Sequence, residues 1–173
     1  MLLKVISSTL IIISCTLLGM HMSYRYNRRI YNIRVLQSIL AYLETEMIYY
    51  STFLSQAIRN SIRTLSGEWK AFFVEMASVL EDKNEYSLAD AWQECLKKIR
   101  NNPYIGKEEY EIMYRFGLQL GNGDRQSQVK YFELAQHQLK TEEKKAQQIG
   151  LSYGKMYRSL GILLGIGIAI VLF

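Results

Sequence analysis

The chain has 173 residues, 49% of them hydrophobic, with 21 Lys and Arg against 16 Asp and Glu, 11 Gly, two Cys and a single Pro. That length suits one domain with no room for a second large core, and so few turn residues exclude an all-β architecture. The hydrophobic fraction excludes a disordered chain, and two Cys exclude both a disulfide scaffold and a four-thiolate zinc site. Charge is unevenly spread. Residues 35–150 hold all 16 acids and only 14 bases, so the net +5 arises from Lys4, Arg25, Arg28, Arg29, Arg34, Lys155 and Arg158, beside the two apolar ends. Membrane surfaces select that pattern, whereas nucleic-acid binding requires a basic face on the folded domain; no nucleic-acid partner is expected.

Residues 5–22 carry no formal charge apart from what His21 can take up, and as a helix they extend about 27 Å, close to the hydrocarbon thickness. The competing reading is a cleaved signal or a lipoprotein box at Cys15, but the apolar run continues past Cys15 and four Arg follow, so a retained membrane helix over residues 1–24 is expected. Residues 25–155 then read as a cytoplasmic helical bundle. Ile30, Ile33, Leu36, Leu40, Leu43, Met47 and Tyr50 recur at three- and four-residue steps, and Ser51-Thr52 offers a break. Leu54, Ala57, Ile58, Ile62 and Leu65 mark a second helix closed by Gly67. Trp69, Phe72, Phe73, Met76, Val79 and Leu80 stripe a third. Ser87 with Asp90 three residues on caps a fourth, whose apolar face is Leu88, Ala91, Trp92, Cys95, Leu96 and Ile99; Asn101-Asn102-Pro103 ends it.

A fifth helix is expected from Lys107 to Leu120, with Tyr110, Met113, Tyr114 and Phe116 near one face. Gly121-Asn122-Gly123 forces a turn, and Asp124 caps a long sixth helix striped by Val129, Phe132, Ala135, Leu139, Ala146, Ile149, Tyr153 and Met156. Residues 156–173 form a C-terminal hydrophobic membrane helix, whose 14 uninterrupted apolar positions span only about 21 Å. Gly161 and Gly165 form a GxxxG step for helix packing. The expectation is therefore all-α: a six-helix antiparallel bundle continuous with an N-terminal and a C-terminal membrane helix. Basic flanks on both spans put the bundle in the cytoplasm, with Arg25, Arg28, Arg29, Arg34, Lys155 and Arg158 against anionic lipid at the membrane surface. Turns near residues 51, 82 and 122 then fall at the end away from the membrane, and those near 67 and 103 close to it.

Enzyme chemistry finds no support. Gly150-Leu151-Ser152-Tyr153-Gly154 matches a nucleophile elbow, but its flanks are helical and no Asp, Glu or His follows Ser152. His21 and His137 lack metal spacing, and Gly121-Asn122-Gly123 lacks the rest of a phosphate loop; no cofactor is expected. Glu44 and Glu46 lie two apart on a helix and diverge, so they suit a solvated face or partner contact rather than shared catalysis.

Leu43-Glu44-Thr45-Glu46-Met47, Ala91-Trp92, the run from Phe116 through Asp124-Arg125 to Gln128, and Lys155-Met156-Tyr157-Arg158-Ser159-Leu160-Gly161 together resemble the stage III sporulation protein AB family over nearly the whole chain. One departure is Thr52-Phe53-Leu54, where the family often has Thr-Pro-Leu. The resemblance implies a bundle related to the platform protein F of type II secretion and type IV pilus systems. It also implies a non-enzymatic scaffold in the channel between mother cell and forespore, in the mother-cell membrane around the forespore. The implied partners are a secretion-type ATPase, stage III sporulation protein AA, and other channel membrane proteins. Glu44, Glu46, Gly121, Asp124, Arg125 and Gln128 are the candidates for partner contact or for bracing the cytosolic end. The alternative is a membrane-anchored helical signalling or adaptor protein with no export role.

Overall fold

The computed structural model describes residues 2–81, 87–120 and 124–172, with only scattered side chains among residues 2–23 and 153–172. Among the described residues the regular structure is wholly helical: α1 (Leu2–Glu44), a π-helical turn (Thr45–Tyr49), α2 (Leu54–Ile62), α3 (Trp69–Glu81), α4 (Leu88–Lys98), α5 (Lys107–Gln119) and α6 (Arg125–Leu172). The chain divides into two compact units, residues 29–144 and the two ends, up to residue 28 and from residue 145. Both α1 and α6 run unbroken from the first unit into the second. Among the described residues no helix is long and apolar enough to cross a membrane. The two expected membrane helices, residues 1–24 and 156–173, have most of their side chains outside that described set.

The expected stripes mostly become the core of residues 29–144. Ile33, Leu36, Leu40 and Leu43 of α1 are buried, as are Trp69, Phe72, Phe73 and Met76 of α3 and Ala91, Trp92, Cys95 and Leu96 of α4. Six aromatic rings form a continuous edge-to-face chain from Trp69 through Phe72, Phe73, Trp92 and Phe116 to Phe132, with successive centroids 4.9–6.3 Å apart. That geometry places the positive edge of one ring on the negative face of the next. The Trp92 indole N–H donates to the Met113 carbonyl at 2.9 Å, so the one polar atom of the ring is satisfied in the core. Gly117 lies under this indole, and a Cβ there would overlap the ring. Burial first, and Glu75 second, push the Cys95 thiol up to about 11, leaving an inert packing residue.

Caps follow the residues. Ser87 Oγ accepts the Asp90 N–H at 3.2 Å to start α4, and Asp124 Oδ1 accepts the Ser127 N–H at 3.0 Å to start α6. α2 is shorter than its apolar pattern, ending at Ile62 before a turn that reaches Gly67 at φ 78°. On α5 the buried face is Ile112, Met113 and Phe116, whereas Tyr110 and Tyr114 are half-buried at its margins.

At one end of the 29–144 unit, α1 collects two turns. Asn32, buried, donates to the Tyr104 carbonyl at 3.1 Å and accepts the Glu68 N–H at 3.1 Å, pinning the α2–α3 and α4–α5 connections to one side chain. Arg29 sits one turn earlier. Its Nε and Nη2 both donate to Glu109 Oε1, at 3.0 and 2.9 Å, and Nη2 reaches Glu108 Oε2 at 3.0 Å. Glu109 is buried, and a Cβ at Gly106 would collide with this pair. The turns near 67 and 104 therefore meet α1 over Arg29–Asn32 at one end of the 29–144 unit, and the Ile48–Phe53 turn meets the start of α6 at the other.

Candidate functional site

The end of α1 departs from its pattern. From Leu43 an α-helix would bury Met47 and then Tyr50, as the spacing predicts. Instead the π-helical turn over Thr45–Tyr49 adds one residue to the cycle. Ile48 takes the inward place and Met47 is only half-buried. Tyr50, expected on the core stripe, is turned outward, and with Tyr49 and Phe53 it is among the most exposed large apolar residues: 73% for Tyr49, 72% for Tyr50 and 84% for Phe53.

The chain reverses through Ser51, at φ 55° in the left-handed region that a non-glycine residue seldom occupies. Three ties hold this turn. The Thr52 N–H donates to the Glu46 carbonyl at 2.9 Å, Thr52 Oγ1 donates to Glu46 Oε2 at 2.9 Å, and the Arg125 guanidinium donates to the Ile48 carbonyl. Burial first, and a hydrogen bond to Glu46 second, raise the Tyr42 phenol above its usual value. Phe53 then caps α2 at φ −63° and ψ 142°.

The candidate contact residues are gathered here, mostly in bracing roles. Glu44 Oε2 accepts from Gln136 Nε2 at 2.7 Å, tying α1 to α6. Burial first and Glu133 second raise the Glu44 carboxyl, and the Gln136 amide partly offsets them. Asp124 is exposed and caps α6; the Ser127 hydroxyl, then its N–H, holds that carboxyl below the ordinary Asp value. Gln128 is half-buried one turn on, its N–H closing onto the Asp124 carbonyl at 3.0 Å. Gly121 lies outside the described residues.

Of the basic residues expected at a membrane surface, Arg29 is committed to Glu109 and Glu108, and Arg34 pairs with Glu143 at 2.7 Å, both within the 29–144 unit. Arg25 is exposed, and Arg28 stacks its guanidinium over the Tyr24 ring at 5.9 Å. Lys155, Arg158, Gly161 and Gly165 belong to the backbone of α6, and their surroundings lie outside the described residues. Open grooves flank the bundle. One, about 460 Å³ between α5 and α6, mixes Lys107, Arg115 and His137 with Glu108, Glu111 and Glu142, so neither sign of charge converges on a ligand. Among the described residues, no group of three or more His, Cys, Asp or Glu could hold a metal ion.

Comparison with known proteins decides the family. The family model described as stage III sporulation protein AB matches residues 4–173. The chain belongs to the stage III sporulation protein AB family. It is 34% identical over 170 residues to stage III sporulation protein AB of Bacillus subtilis (strain 168), covering 98% of this chain and 99% of that protein. A solved structure of stage III sporulation protein AB superposes with a TM-score of 0.66 at 34% identity, covering 71% of this chain and 96% of the other. In this family member the sequence reading missed Asn32, Glu109 and the exposed trio Tyr49, Tyr50 and Phe53. For the trio a signal was present: three aromatics within five residues flanking a helix break. For Asn32 and the Arg29–Glu109 pair the partners lie 72 and 80 residues away in sequence, beyond any local pattern.

Proposed function

We propose that this sporulation protein is a non-enzymatic membrane platform subunit of a secretion-like channel between mother cell and forespore. It sits in the mother-cell membrane around the forespore and couples a cytosolic ATPase, the stage III sporulation protein AA, to the other membrane proteins of that channel. The observation that carries the reading is the continuity of α1 and α6. The helices that open and close the bundle run unbroken, over Leu2–Glu44 and Arg125–Leu172, into the two apolar ends of the chain. The bundle and the apolar ends thus share two helices rather than being joined by loops. Family membership supplies the sporulation context. The apolar ends anchor the protein in the membrane, and Arg25 with Lys155 and Arg158 rests on anionic headgroups, each contributing on the order of 1 kcal/mol when near the surface.

Thiol accessibility in intact sporulating cells tests it. Cys15 and Cys95 are replaced by Ser, and single Cys residues are placed at Asn122 and on a short extension after Phe173. The platform reading expects an impermeant reagent to label position 122 only after permeabilisation, and the extension before it. Labelling of position 122 in intact cells would put the bundle outside and rule out coupling to a cytosolic ATPase.

A further inference from the structure

We infer that the furrow between α5 and α6 is a self-association face, filled when a second copy of this chain sets its α5 against the first copy's α6 about a two-fold axis running along the furrow. The pairing goes beyond the platform reading and needs only these two helices.

The groove that Lys107, Glu111, His137 and Glu142 help to line is part of a longer feature. A smaller hollow of about 80 Å³ continues it, sharing Ile112, Arg115 and Gln138 and reaching Gln119 and Tyr131. One furrow therefore accompanies the whole of α5, whose 13 residues extend about 20 Å. Its walls run antiparallel, since Lys107 and Glu142 belong to one hollow only, and Gln119 and Tyr131 to the other.

The walls carry charge that the chain does not use. Among the described residues Lys107, Glu111, Arg115 and His137 form no ion pair, although Arg29, Arg34, Arg59, Lys97 and Lys98 all do. Glu111 and Arg115 stand at the i, i+4 spacing that favours a pair, yet Arg115 Nε donates instead to the Glu111 carbonyl at 3.3 Å. Leu134 adds an exposed apolar side chain on the α6 wall.

Symmetry names the occupant. A two-fold along the furrow sets each copy's α5 beside the other's α6, at the same level and in opposite directions, the relation that α5 and α6 already keep within one chain. Lys107 of one copy then meets Glu142 of the other. Four residues along α5 and five back along α6, Glu111 falls opposite His137. Each contact is made twice, so pairs that the open furrow keeps apart within a chain are made between chains. A partner of one sign, basic or acidic, would meet a like charge at Lys107 or at Glu142, whereas a second copy carries the required order by construction. A furrow of this length serves a transient rather than a permanent dimer, with a Kd on the order of 10 µM.

The test is sedimentation velocity of the full chain in density-matched neutral detergent, at concentrations up to roughly 300 µM. The variants are Lys107→Glu, Glu142→Lys, the two combined in one chain, and Lys70→Glu as an exposed charge reversal on α3. Each furrow single is expected to raise the Kd at least roughly 10-fold and Lys70→Glu to leave it unchanged, with circular-dichroism melting preserved. An equimolar mixture of the two singles regains wild-type association, because each supplies the charge the other lacks, and the combined variant regains it alone. Equal association by a folded Lys107→Glu overturns the face and assigns any dimer to another surface, such as the Gly161 and Gly165 step. Failure of the mixture to regain what the singles lose overturns the two-fold pairing. A wild-type chain that stays monomeric overturns self-association, and a loss of heat-resistant spores from Lys107→Glu would then assign the furrow to a different protein.

Discussion

Two sets of aromatic residues in this protein have opposite fates. Phe72, Trp92, Phe116 and Phe132 stack edge to face and are shut away from water, whereas Tyr49, Tyr50 and Phe53 stand in it. Composition does not separate them; helical phase does. The α3, α4, α5 and α6 rings fall at three- and four-residue steps on faces that meet other helices. At the end of α1 one inserted residue breaks the phase, so Tyr50, which a regular helix would fold inward, is carried out. The first set holds the bundle together by area and ring geometry. The second contributes almost nothing to folding and is free to serve contact with another molecule.

The largest test of this contrast is Trp92→Ala, expected to cost about 4 kcal/mol in denaturant unfolding, because it opens a cavity at the centre of the ring chain and orphans its hydrogen bond. A loss below 1 kcal/mol would show that the chain is not the structural core. Arg29→Ala tests the opposite end. It leaves the buried Glu109 without its partner; with the Arg29 side chain still 26% exposed, the loss is about 2 kcal/mol, below that of a fully buried pair. An unchanged midpoint would return Arg29 to the surface role its neighbourhood in the sequence suggests.

Asp124 sharpens the contrast through pH. Its folded carboxyl lies below the ordinary value of 3.8, so its stabilisation is complete above that value and is lost as pH falls through the lower folded one. Melting curves across the acid range should show Asp124→Asn retaining the cap with that dependence removed, and Asp124→Ala less stable at neutral pH. Phe53→Pro is a smaller change of opposite sign. The backbone already holds φ at −63°, where a pyrrolidine ring fixes it, so about 0.5 kcal/mol of stabilisation is expected with one ring of the exposed set removed. Destabilisation would mean that Phe53 packs. The smallest effect belongs to Tyr49→Ser with Tyr50→Ser, expected to move the unfolding midpoint by less than about 0.5 kcal/mol.

Much of the fold is legible in the residues. Stripes such as Ile33, Leu36, Leu40 and Leu43 locate the core face, and Ser87 and Asp124 announce helix starts because their side-chain oxygens meet free N–H groups nearby in sequence. The candidate site is legible only in part. Glu46 and Arg125 hold the turn, Glu44 ties α1 to α6, and Asp124 caps α6, roles set largely by partners distant in sequence. Reading Tyr50 as core assumed a constant 100° per residue, which the π-helical turn violates. Arg29 and Arg34 read as membrane flank because an apolar run lies close by, and nothing local reveals carboxylates 80 and 109 residues later.

The π-helical turn is, in the language of inheritance, a single-codon matter. Deleting one residue ahead of Ile48 restores ordinary helical winding and leaves Ile48 four positions after Leu43, still on the inward face. Tyr49 and Tyr50 then keep their outward phase, whereas ordinary winding of the full-length segment would turn Met47 and Tyr50 inward. Which way Tyr50 faces thus depends on the length of the segment as well as on its residues, and a residue-by-residue comparison does not register that.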